Sequence, residues 1–316
     1  MAEAEAMTKS GATLSLSDLR GSSSRRRKEG AIRAIFLTAA GISVVISALI
    51  ITSLVGEALK FLSQVDLGGL WQRGWFPRRG LFDIKTIVVG TMLVSAIAMI
   101  VAAPLGLGAA IYLSEYASPR LRRVLKPILE ILAGIPSVVM GFFALTFISP
   151  VLVQKLTSGA TLFNMAAAGI GVGILVTPLV ASIAEDAMHA VPRSMREAAY
   201  GLGSKRMTTS LRIVFPAAVS GIVAALILGI SRAIGETMVV AIAAGGTGGS
   251  LFTTNVFGPG QTMTAAMTAL ASGSDQVSGN TAAFNSLFFV GLLLFFITLS
   301  LNLVSDRFVR RVRRRY

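Results

Sequence analysis

The chain has 316 residues, 53% of them hydrophobic and only 14% charged, with a mean hydropathy of +0.73. That is too apolar for a soluble domain of this length and fits a multi-span helical bundle. The absence of cysteine and a single histidine, His189, exclude a disulfide framework, a thiolate metal site and a histidine-metal cluster, so no cofactor or metal is expected. The net charge of +14 resides at the ends of apolar runs, without an aromatic-interleaved basic surface, which speaks for membrane topology and against a nucleic-acid partner.

Residues 1–28 are small, polar and Ser-rich before they turn basic, and read as a disordered cytoplasmic tail. Apolar runs long enough to cross about 30 Å of hydrocarbon follow near 33–55, 84–113, 127–153, 162–184, 217–244 and 283–305. The first follows Arg25-Arg26-Arg27-Lys28, exceeds a signal-peptide core and lacks a clean cleavage site, so it is expected to be retained. The domains are then 29–82 (first span and external loop), 83–306 (transmembrane core) and a basic cytoplasmic tail, 307–316. Six spans put both termini on one side. With that side cytoplasmic, 22 of the 29 Lys and Arg fall inside, one (Arg232) lies within a span, and the other six lie outside.

In the external stretch 60–82, Trp71 and Trp75 suit the membrane interface, whereas Arg73, Arg78 and Arg79 run against the charge rule. Pro104, Pro136 and Pro178 fall inside spans two, three and four, where each removes a backbone donor. Either packing irregularity or movable transport segments would account for them.

The fifth run contains Ser231-Arg232-Ala233-Ile234-Gly235-Glu236-Thr237. A charge at mid-bilayer costs about 2.5–3.5 kcal/mol even on lenient insertion scales, so this pair needs a reason. At about 100° per residue, Ala225, Gly229 and Ala233 form a small-residue stripe that includes Arg232 and Glu236. Val223, Ile227, Ile230, Ile234 and Met238 gather opposite. The charged pair is thus expected to face the bundle or a wet pathway. The residues alone leave two roles open: a guanidinium offered to an anion in transit, with Glu236 competing for it, or a neutralised i,i+4 pair that locks packing. Neither residue has a second carboxylate, nucleophile or metal ligand to work with, so neither reads as a catalyst.

Residues 193–216 combine helical propensity at Arg196-Glu197-Ala198-Ala199 with breaks at Gly201 and Gly203 and membrane entry at Pro216. A short helix, a turn and a second helix would make a compact knob. Glu197-Ala198-Ala199, then Gly203, Ile213, Phe215 and Pro216 stand at the spacing EAA-x3-G-x9-I-x-L-P, with Phe215 in place of leucine. This segment resembles the EAA loop of type I ATP-binding-cassette importer permeases, in which it is the coupling helix that docks into a nucleotide-binding subunit.

Further similarity lies in Gly90-Thr91, Ala103-Pro104-Leu105-Gly106, Tyr112-Leu113-Ser114-Glu115-Tyr116, residues 130–139 and Arg232 through Met238. Together they look like the phosphate importer permeases of the Pst system, over about 81–306, and Met238-Val239-Val240 after Gly235-Glu236-Thr237 is more like PstC than PstA. The resemblance implies an all-α bundle of six spans in a bacterial inner membrane. It also implies a PstA-like partner subunit as heterodimer, two ATP-binding subunits, an external phosphate-binding protein, and phosphate passing Arg232 and Glu236. No G-x-x-x-x-G-K-[ST] occurs, since Gly245-Gly246-Thr247-Gly248-Gly249 lacks the lysine and Gly203-Ser204-Lys205 the spacing, so the ATPase is expected on another chain. Residues 245–282 would form an external loop in which 261–272 makes a short helix facing the binding protein. The rivals are a PstA-like subunit, a permease for sulfate or molybdate, an ion-coupled secondary transporter needing no ATPase, and a membrane enzyme, the last disfavoured by the missing catalytic cluster.

Overall fold

A computed structural model describes residues 23–71, 74–245, 249–272 and 281–313. Most of the expected tail 1–28 and the end of the tail 307–316 lie outside the described residues, as does 246–248 of the glycine-rich stretch. Contacts divide the chain into residues 1–53 and 54–316. Helix α1, Ser23–Gln64, begins in the first unit, where every described side chain from Arg27 to Ser53 is exposed. An apolar helix whose side chains are exposed fits a lipid-facing span. Its last turns belong to the second unit, where Phe61 is fully buried against Phe82 and Phe289.

The second unit continues with a hairpin, β1 (Trp75–Phe76) and β2 (Leu81–Phe82), closed by a left-handed Gly80. Trp75 is 1% exposed and packs edge-on against Phe82, so only Trp71 occupies the open position expected of both tryptophans. Asp83 ends the hairpin and caps α2 (Ile84–Ile111), accepting from the Lys85 amide at 3.2 Å and the Thr86 hydroxyl at 2.8 Å. A π-helical turn, Tyr112–Tyr116, extends α2, and Ser118 then caps α3 (Pro119–Ala133), with Pro119 at its first position.

The third expected span departs from expectation. Helix α3 is amphipathic, the chain turns at Gly134–Pro136, and the apolar segment is α4 (Ser137–Phe143) prolonged by π-helix to Val153 and by a last turn to Leu156. Pro136 therefore sits at a helix N-terminus, where its missing N–H costs nothing, and not within a span. Asn164 caps α5 (Met165–His189), its Oδ1 taking the Ala167 amide at 2.7 Å. Helix α5 is the axis of the bundle: it packs most heavily on α2, and side chains of both elements interlock through glycine. A β-carbon on Gly173 would stand 2.8 Å from the Ala98 carbonyl oxygen, and one on Gly106 2.8 Å from Val180. Pro104 and Pro178 do lie within α2 and α5.

Helix α6 (Arg193–Gly201) and α7 (Arg206–Thr209) follow, then a π-helical turn and a short turn at Phe215–Ala217. The chain bends by 73° into α8 (Val219–Ile234), breaks, and resumes as α9 (Met238–Ala243). The expected fifth span is thus two helices. A loop returns to α10 (Met263–Ser272), close to the 261–272 helix expected, and α11 (Thr281–Arg313) ends the described chain. Among the described residues, five helices are long and apolar enough to cross a membrane, and the bent pair makes six, which is the all-α multi-span bundle anticipated from hydropathy.

Candidate functional site

The break between α8 and α9 creates the first part of the site. Gly229, Ala225 and Ala233 face inward, because α8 lies so close to α5 that a β-carbon on Gly229 would reach within 2.8 Å of Val180. Arg232 lies at the margin of that stripe, with 49% of its side chain exposed, and Glu236 stands beyond the helix end with 2% exposed. The wheel placed both on one helix face; Gly235 ends the helix between them, yet the guanidinium still reaches the carboxylate at 3.0 Å. Ile234, placed opposite by the same wheel, is 2% exposed because the chain turns inward there. The contact between Nη1 and Oε2 lacks hydrogen-bond alignment, so Oε2 has charge nearby and no hydrogen-bond partner.

A buried polar seam holds the break open. The Thr264 hydroxyl donates to the Glu236 carbonyl oxygen at 2.8 Å, and Thr262 lies 3.2 Å from Thr264. The Met263 amide donates to the Thr91 hydroxyl at 3.0 Å, tying the start of α10 to α2. The approach needs Gly90, whose β-carbon would lie 2.3 Å from the Gln261 carbonyl oxygen. Ser95 Oγ and Gln261 Oε1 are also buried without a partner. Such groups in apolar surroundings cost about 1–3 kcal/mol each unless something visits them. Sequence reasoning missed this seam; three hydrogen-bonding side chains within four residues, at 261, 262 and 264, opening an apolar helix, were the available signal.

The second part is the knob at 193–216. Helix α6 ends in a Schellman motif, with the Ser204 amide on the Ala199 carbonyl at 3.0 Å, the Gly203 amide on Tyr200 at 2.9 Å, and Gly203 at φ +77°. A β-carbon disfavours that conformation, which explains the glycine at this place in the spacing. Glu197, Ala198 and Gly203 are exposed, Ala199 is buried against the base, and Ile213, Phe215 and Pro216 are half-buried on the way into α8. Leu202 is 90% exposed and Met207 64%, an apolar tip that is poorly accounted for by water alone.

What fastens the knob was not anticipated. Arg196 donates to Glu115 Oε1 at 2.9 Å, to the Met188 carbonyl at 2.8 Å and to the Val191 carbonyl at 2.6 Å, satisfying carbonyls at the end of α5. Arg206 lies over the Tyr116 ring at 5.2 Å. Beside it, Glu185, fully buried, takes a hydrogen bond from Lys126 at 2.9 Å and a charge contact from Arg122; Lys126 also reaches Asp186, and Arg122 lies 2.9 Å from His189 Nε2. This network clamps α3 to α5.

Among known proteins, residues 102–316 match the family of binding-protein-dependent transport system inner membrane components, and the chain belongs to that family. It is 35% identical over 258 residues to the phosphate transport system permease protein PstC 1 of Mycobacterium tuberculosis, covering 75% of either chain. It is 30% identical over 286 residues to PstC of Pasteurella multocida, covering 85% of this chain and 87% of that one. The fold is also that of a chain in a bacterial alginate ABC transporter crystallised with its pentasaccharide-bound periplasmic protein, at TM-score 0.61, 15% identity, and 90% and 97% coverage. The protein is accordingly a multi-pass inner-membrane permease subunit of an ABC importer.

Proposed function

We propose that this permease carries phosphate, as the PstC-like half of a heterodimer with a PstA-like subunit. Of two ATP-binding subunits in the complex, one docks on the knob at 193–216, an external binding protein delivers phosphate, and both termini are cytoplasmic. The observation that carries the anion role is the half-exposed Arg232 guanidinium at a helix break, held by a single misaligned carboxylate. A guanidinium fully satisfied by fixed partners would have nothing to offer a passing oxyanion, whereas this one can trade Glu236 for phosphate and back. The identity to PstC relatives supports phosphate as the substrate. Glu197, Ala198, Ala199, Gly203, Ile213, Phe215 and Pro216 form the coupling segment: a short helix, rigidly capped and bolted through Arg196, transmits the motion of a separate ATPase as a lever.

The test is ATP-driven uptake of labelled phosphate by the complete transporter in vesicles. Arg232→Ala should abolish uptake while all subunits still copurify. Normal uptake in that variant removes the anion role, and competition by excess sulfate would reassign the substrate to another oxyanion.

A further inference from the structure

A cavity of about 360 Å³ opens at the root of the knob, between the end of α2, the start of α3, the end of α5 and the start of α6. Ser114, Pro119, Arg122, His189, Arg193 and Arg196 line it. The carboxylates that balance these arginines stand behind them. Glu115 and Glu185 are 6% and 0% exposed and do not line the cavity, so its wall is cationic. Arg193 has no carboxylate partner among the described residues, and Arg122 keeps a buried Nε–H without an acceptor. The first turns of α3 and α6 border the same space, adding the positive ends of two helix dipoles.

From this we infer a second anion site, separate from Arg232, that takes a small tetrahedral oxyanion such as inorganic phosphate. Arg193, the Arg122 Nε–H and His189 converge from different elements, while Arg196 and Ser114 on the same wall are already committed to Glu115, and charge-assisted contacts of that kind select phosphate-like groups. An occupant bridging Arg193 of α6 to Arg122 of α3 adds to the fastening that Arg196 already gives the knob. Resting on the importer reading, the site faces the side on which phosphate is released, and its occupation resists the movement of α6, so accumulated product slows further import.

The experiment measures equilibrium binding of radiolabelled inorganic phosphate to the purified complete complex without the external binding protein. It also measures uptake as phosphate is raised on the ATPase side. Losing one charged contact weakens anion binding by about tenfold or more, so Arg193→Ala should bind phosphate at least about tenfold more weakly and lose sensitivity of uptake to product. Its exposed position leaves folding intact, which a melting temperature matching the wild type verifies. Arg232→Ala should bind at this site as the wild type does while failing to transport. Equal phosphate binding in the wild type and Arg193→Ala overturns the site even if uptake is normal. Absence of phosphate uptake in the wild type overturns the importer reading while leaving the binding result decisive. A lipid phosphate has the same chemistry: displacement of the label by phosphatidylglycerol in nanodiscs, lost in Arg193→Ala, assigns the occupant to the headgroup and keeps the site.

Discussion

Two of the buried carboxylates paired with arginine, Glu185 and Glu236, are built differently. Glu185 is gripped from α3 by both Arg122 and Lys126, whose side chains are only 26% and 24% exposed. Glu236 has one contact, from an arginine that is half open and misaligned. The first arrangement neutralises its charge within the protein and serves as a clamp between helices. The second leaves a cation half committed, as a transport site requires, because an anion must both arrive and depart. Alignment does not separate the two, since Glu185 Oε1 facing Arg122 also lacks a hydrogen-bond partner; the number of partners and the exposure of the arginine do.

The largest expected effect lies on the clamp. Glu185→Ala strands Arg122 and leaves Lys126 only the exposed Asp186, and breaking such a network costs about 3 kcal/mol or more. The yield of assembled permease and its melting temperature should fall sharply. A variant that assembles normally would show that the clamp is ornamental and that the contrast with Glu236 has no energetic content. Arg232→Lys comes next. It keeps the charge and loses the planar fork, so uptake should drop by about tenfold while the melting temperature stays within error. Unchanged uptake would mean that a point charge suffices at this position.

Glu236→Gln sharpens the same contrast from the other side. The neutral amide fits the space and leaves the half-exposed Arg232 to solvent, so stability should change by no more than about 1 kcal/mol. Turnover should nevertheless fall, since nothing competes with the anion when it must leave. A stability loss comparable to that of Glu185→Ala would move Glu236 into the structural class.

How much of this was visible beforehand follows from what hydropathy can and cannot register. The six apolar runs, the spacing from Glu197 to Pro216 and the Arg232–Glu236 pair stood in the sequence, because burial in lipid demands apolar length and a buried charge stands out against it. The breaks did not. Residues 127–135 are apolar enough to merge α3 with α4, although the chain turns at Gly134–Pro136; Gly235 likewise hid inside a continuous apolar run. Trp75 looked interfacial because its burial depends on a hairpin of two-residue strands that no periodicity announces. The partners Glu115–Arg196 and Arg122–Glu185 are 81 and 63 residues apart, and only the folded chain brings them together.

The smallest expected effect concerns Lys126, and it tests the clamp through pH. Partial burial pulls the ammonium down, but hydrogen bonds to Asp186 and Glu185 outweigh it, and the pKa is raised above the ordinary 10.5. A raised folded value means that the clamp contributes its full stabilisation below pH 10.5 and loses it as pH climbs through the higher folded pKa. Melting temperature should therefore hold steady into the alkaline range and then decline beyond that point more steeply than in Lys126→Met. Parallel curves for the two proteins would show that Arg122 alone holds Glu185, which would make the clamp a single pair and bring it closer in kind to Arg232 and Glu236.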